Sequence, residues 1–149
     1  MKRLLIAILL LASCHRPIEV EKVAVREEYR ALSEWEVLEL ALILTESKGN
    51  PDAVGKTNDR GALQITPVFV AEANRISGRG YTHDDAFSVE KSLEMFSVVQ
   101  SHHNPDSSID RAISLHNKGA AYSARVKRNM EIVRRMEAAR KAVVDAYGN

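Results

Sequence analysis

Apolar residues recur at helical spacing in successive stretches of this chain, and most of these stretches open on a residue suited to cap a helix. Ser33-Glu34-Trp35-Glu36 reads as a capping box, in which the serine hydroxyl and the glutamate three residues on satisfy each other's backbone amides. The predicted helix carries Trp35, Leu38, Leu42 and Thr45 on one face, with Val37, Leu40, Ala41 and Leu44 beside them. So broad an apolar band predicts a helix sunk in the core. Gly49 is expected at its C′ position, and Pro51 blocks resumption. Gly55, Asn58-Asp59 and Gly61 punctuate a loop with a small β-like turn region. Thr66-Pro67 then starts a second helix to about Ile76, ending near Gly78.

Asp84, Asp85 and Ser88 precede a third helical stretch carrying Val89, Leu93, Phe96 and either Val99 or Gln100. Ser107 or Ser108 caps a short helix with Ile109, Ala112, Ile113 and Leu115, which ends at Asn117-Lys118-Gly119. Ala120 to about Ala146 reads as one long amphipathic helix. Its seam is Val126, Met130, Val133, either Met136 or Glu137, and either Val143 or Val144. The expected class is mainly α. No repeat or low-complexity block interrupts it.

The N-terminus follows a different pattern. Lys2-Arg3 and then nine apolar residues, Leu4 to Ala12, are too few to span a bilayer, which takes ~20 in a helix. This is the form of a secretion signal. Leu11-Ala12-Ser13-Cys14 resembles the bacterial lipobox, which would make Cys14 the lipid-bearing first residue of the mature chain. The alternative is a plain signal peptide with an incidental cysteine. The expected organisation is a signal peptide at 1–13, a charged tether at 14–32 and one domain at 33–149.

Composition narrows the classes further. Hydrophobic residues make up 45% and charged ones 28%, which suits a globular domain able to bury a core. A formal charge of +1 offers no concentrated basic face, so no nucleic-acid partner is expected. One cysteine excludes an internal disulfide framework or a cysteine-based metal cluster. Adjacent histidines such as His102-His103 point about 100° apart on a helix and rarely share an ion. Neither metal nor cofactor is expected.

Ala41 to Pro67 holds the candidate chemistry. A helix delivers one carboxylate, Glu46, to its own C-terminal end, and a loop brings the Gln64 amide back towards it. Taken alone, a glutamate near a helix end is a solvated surface residue. Its neighbours change that reading. Glu46-Ser47, Asn50-Pro51-Asp52-Ala53 and Gly61-Ala62-Leu63-Gln64-Ile65-Thr66-Pro67 resemble, in order and spacing, the motifs of the soluble lytic transglycosylases and goose-type lysozymes. There the motifs are Glu-Ser, Asn-Pro-x-Ala and Gly-Leu-Met-Gln-x-x-Pro. A further signature, Ala-x-x-x-Tyr-Asn-x-Gly, is matched by Ala112 to Gly119, and the likeness spans roughly residues 35 to 135.

The resemblance implies a lysozyme-like fold and cleavage of the β-1,4 bond between N-acetylmuramic acid and N-acetylglucosamine. Glu46 would act first as acid and then as base, closing the C6 hydroxyl onto C1 to leave a 1,6-anhydro end. Apolar neighbours and the negative end of the helix dipole are expected to raise the Glu46 pKa, as general acids of glycosidases require. Gln64 would bind sugar or peptide groups, or brace the loop. Asn117 would bind substrate, form a left-handed C-cap, or do both. Ser47 would steady the helix end and could touch the sugar. Tyr122 falls in a region where relatives place a cleft tyrosine, with core packing as the alternative.

One departure stands out. His116 occupies the position at which the family usually carries tyrosine. Histidine ordinarily changes charge just below neutrality, and a protonated ring would depress Glu46. The expected consequence is a pH optimum at or above neutrality, or a reduced rate. Two other readings remain open. A hydrolytic muramidase would need a second carboxylate to activate water, with Asp59 or Asp52 as candidates. An inactive lysozyme-like module would bind glycan or an envelope protein without cleaving. The expected partners are peptidoglycan strands and a membrane reached through Cys14, at the bacterial cell envelope.

Overall fold

The computed structural model describes residues 29–147. The expected signal peptide, Cys14 and most of the expected tether lie outside the described residues. The described chain is mainly helical, as the apolar spacing predicts. Helix α1 is Glu34–Glu46, α2 Pro67–Ser77, α3 Val89–His103, α4 Ile109–His116 and α5 Ala120–Tyr147. A 3₁₀ helix, His83–Phe87, precedes α3 where the sequence suggested only a cap. None of these helices is long and apolar enough to cross a membrane.

The caps explain most of the boundaries. Ser33 and Glu36 form the reciprocal box at α1. Thr66 accepts from the Phe69 amide at 3.1 Å, with Pro67 at the first helical position. Ser88 caps α3 and Ser108 caps α4, so Ser108 rather than Ser107 takes that role. The end of α1 differs from expectation. Ser47 is the C-cap, which puts Lys48 at C′ in a left-handed conformation with φ 57°, and Gly49 follows at φ 87°.

Chain contacts divide the molecule into two compact units. The larger, residues 32–134, holds the main core. Leu38 and Leu42 of α1 meet Met95 and Phe96 of α3, Ile113 of α4 and Val126 of α5. Each such side chain contributes ~1.5–3 kcal/mol by leaving water. Leu40 is exposed, so the buried stripe of α1 is narrower than its sequence suggests. Of the second unit, residues 29–31 and 135–147 are described, with the Arg140 guanidinium 5.2 Å from the centre of the Tyr29 ring. In α5, Val126, Met130, Val133 and Val144 are buried, while Met136 and Val143 are exposed.

The loop between α1 and α2 contains two isolated antiparallel bridges, Val54 with Arg60 and Arg60 with Ile65, which form the small β-like region. Gly61 sits where this loop crosses the 3₁₀ helix. Its φ is 75°, and a Cβ there would lie 1.7 Å from the Ala86 carbonyl oxygen. Only glycine lets the backbones approach this closely. The fold thereby delivers the C-terminal end of α1, the bridged loop and the end of α4 to one cleft.

Candidate active site

A cleft of about 160 Å³ is lined by Glu46, Asp59, Gln64, Thr66, Phe69, His116 and Asn117. Glu46 is the last residue of α1, so the helix directs its side chain off the end of the core. Its neighbour Thr45 faces inward, donates to the Ala41 carbonyl at 2.7 Å and accepts from Asn129 Nδ2 at 2.8 Å. That contact ties the last turn of α1 to α5.

Two groups converge on one oxygen of the carboxylate. Tyr122 donates its phenol to Glu46 Oε1 at 2.5 Å, and His116 Nε2 lies 3.2 Å from the same atom. The second oxygen, Oε2, has no hydrogen-bond partner among the described residues. The Glu46 side chain is 19% exposed and that of His116 only 7%. The imidazole is packed by rings: Phe69, Phe96 and Tyr122 each lie 6.2 Å away, centre to centre. Its Nδ1 is buried without a partner.

The electrostatics overturn one expectation. Burial pushes the Glu46 pKa up, as anticipated. Hydrogen bonds from His116 and Tyr122, and the charges of His116 and Arg125, outweigh burial and hold the carboxyl below its ordinary value. For Tyr122 every strong influence acts the other way. Burial and the adjacent carboxylate push its phenol far up, so it stays a proton donor in the hydrogen bond. Arg125, whose guanidinium lies 5.7 Å from the centre of the Tyr122 ring, opposes this.

The other sequence candidates divide clearly. Gln64 adopts a left-handed φ of 49° and donates to the carbonyls of Gly61 at 2.9 Å and Ala53 at 3.2 Å. Its amide nitrogen therefore braces the loop, while its side chain also lines the cleft. Gly55 makes room for it, since a Cβ there would lie 2.7 Å from Gln64 Oε1. Asn117 lines the cleft and accepts from the Gly119 amide at 2.9 Å. It caps α4 in an extended conformation, φ −155°, instead of the left-handed one considered from sequence.

Ser47 donates to the Ile43 carbonyl at 3.3 Å, bracing its own helix, and is absent from the cleft lining. Asp59 lines the cleft; Asp52, the other acid weighed for a water-activating role, is exposed outside it. His103 pairs with Glu72 at 2.6 Å.

Sequence reasoning missed Phe69, Thr66 and Asn129. The first two were legible as the capped first turn of α2. Asn129 follows Tyr122 by seven positions, two helical turns on the same face, and this periodicity could have found it.

The comparisons with known proteins agree with this geometry at the level of family. No curated protein and no solved structure matched. A family model described as the transglycosylase SLT domain matches residues 24–129, a span that includes every cleft residue. That family has the lysozyme-like fold and lytic transglycosylase-type activity on peptidoglycan, in the bacterial cell envelope. The chain therefore belongs to the transglycosylase SLT domain family.

Proposed function

We propose that this chain is a lytic transglycosylase that cleaves between N-acetylmuramic acid and N-acetylglucosamine and leaves 1,6-anhydromuramyl ends. The observation that carries the reading is the asymmetry of Glu46. Tyr122 donates to Oε1 and His116 Nε2 lies 3.2 Å from it, while Oε2 of this cleft-lining residue has no partner among the described residues. A protonated Oε2 gives its proton to the glycosidic oxygen as the bond to C1 breaks. The carboxylate then takes the proton of the C6 hydroxyl while that oxygen bonds to C1. Atoms balance without water, and Glu46 ends protonated as it began. Tyr122 and His116 act as positioning residues for the carboxyl, and Gln64 and Asn117 as polar walls for the sugar.

A hydrolytic variant has one observation in its favour: Asp59 shares the cleft with Glu46. In that scheme Asp59 would activate water. The N-terminal pattern supports a chain secreted and anchored through lipid on Cys14, with residues up to 32 as tether. Cys14→Ser is expected to move it from the membrane to the soluble fraction. For the enzymatic reading, Glu46→Gln is the test. It should lower sacculus clearing by at least about 10²-fold, the ordinary contribution of a positioned general acid, with the circular dichroism unchanged. A variant that clears sacculi like the native chain would overturn the reading.

A further inference from the structure

A second cavity in the larger unit lies away from the catalytic cleft and shares no residue with it. Its volume is about 370 Å³, within the range of small-molecule sites. Trp35, in the first turn of α1, forms one wall, and Ser97, Ser101 and Ser107 stand around it. Gln100 and Asn104 are buried beneath. Trp35 and Glu46 are separated by roughly 16 Å along α1, at 1.5 Å per residue.

The chemistry of this lining is specific. No side chain in it carries a charge, so neither a phosphate nor a free carboxylate finds a counter-ion there. The indole is held in place by its ring packing against Phe96, with 5.9 Å between ring centres. One edge of the ring is thus committed to the core, and the half-buried remainder faces the cavity. The amides below are equally fixed. Asn104 donates to Gln100 Oε1 at 3.2 Å and to the Ser108 carbonyl at 3.0 Å. Ser107 is turned into position by a left-handed φ of 51°.

A rigid aromatic surface beside neutral hydroxyls and amides matches an uncharged sugar. The C–H face of a pyranose packs on the indole, and its hydroxyls and N-acetyl group exchange hydrogen bonds with the serines. We propose that this cavity is a second, non-catalytic saccharide site that takes an N-acetylated sugar of a glycan strand. It rests on the reading of the chain as one that acts on peptidoglycan. Its role is to hold a strand at the N-terminal end of α1 while the other end carries the acid.

Trp35 is the only tryptophan in the chain, so indole fluorescence reports on this cavity alone. The experiment titrates the full chain, carrying Glu46→Gln to prevent turnover, with an N-acetylglucosamine oligomer. The comparison is the same chain with Ser101→Lys added, a change at an exposed position. The expected result is a saturable emission change that Ser101→Lys abolishes. In the background that retains Glu46, Ser101→Lys should raise KM on sacculi several-fold and leave kcat unchanged. No emission change, or an equal one in both chains, overturns the second site. Sacculus cleavage by the native chain is scored separately. An inactive native chain that still shows the titration would remove the lyase reading and keep the saccharide site.

Discussion

The phenol of Tyr122 donates to Oε1 of Glu46 at 2.5 Å, joining residues 76 positions apart. The hydroxyl beside the acid therefore comes from the first turn of α5. At position 116, where the resemblance would put tyrosine, histidine approaches the same oxygen. The site keeps a hydroxyl on its acid and adds an imidazole to it. Both depress the carboxyl, which must nevertheless be protonated to serve as the acid.

Tyr122→Phe removes one of those donors, so the Glu46 pKa should rise towards its ordinary value. A higher value leaves more acid protonated at a given pH, and the alkaline limb of the kcat/KM profile should move to higher pH. His116→Tyr removes the imidazole that lowers the Glu46 carboxyl and should likewise move that limb to higher pH. Profiles measured on sacculi check both. Limbs that stay in place in both variants would contradict the coupling.

Acid stability should follow two surface carboxylates. Glu72 is held down to about 2 by hydrogen bonds from Arg75 and His103, and Asp85 to about 2 by Lys91 and the Thr82 backbone. Both values lie below the ordinary 4.5 and 3.8, so their stabilisation is fully present above those values. It should be lost as pH falls towards 2. Because both groups are only half-buried at the surface, salt should weaken the effect. Urea midpoints across that window, at low and high salt, provide the check.

Gly61→Ala should destabilise the fold severely. Left-handed strain costs ~1–3 kcal/mol, and the added Cβ would also strike the Ala86 carbonyl. Gly49→Ala is the control: its φ is 87°, but nothing lies within 4 Å of the new carbon. Urea unfolding should show Gly61→Ala losing more than Gly49→Ala. Equal losses would mean that the loop crossing is not tight.

Asp59→Asn separates the two catalytic schemes. In the lyase, Asp59 moves no proton, and its side chain accepts from Thr57 at 2.7 Å in the loop. An amide oxygen can keep that bond, so turnover should stay within about tenfold of native. A loss on the order of 10²-fold or more, typical of a missing general base, would favour hydrolysis.

The parts of this fold legible in sequence were those fixed by local chemistry. Ser33 with Glu36, and Thr66 with Pro67, announce helix starts because their hydrogen bonds span only three residues. The seam of α5 was legible except where two neighbours competed. There the structure buries Val144 and exposes Val143. The direction of the Glu46 pKa was not legible, because it depends on side chains from α4 and α5 arriving at one oxygen. The backbone conformation of Asn117 as a cap was not legible for a related reason. Left-handed tolerance is a property of the residue, but the extended φ it adopts is set by where the chain must go after α4. Gln64 and Lys48 took left-handed positions that composition alone would assign to glycine.

The central claim is that one carboxyl gives a proton to the sugar bridge and takes one back from the C6 hydroxyl. Mass spectrometry of fragments released from sacculi by the native chain tests it most directly. The account predicts 1,6-anhydromuramyl ends, lighter than reducing ends by one water, and none with Glu46→Gln. Reducing ends from the native chain, or anhydro ends that persist without the Glu46 carboxyl, would contradict it.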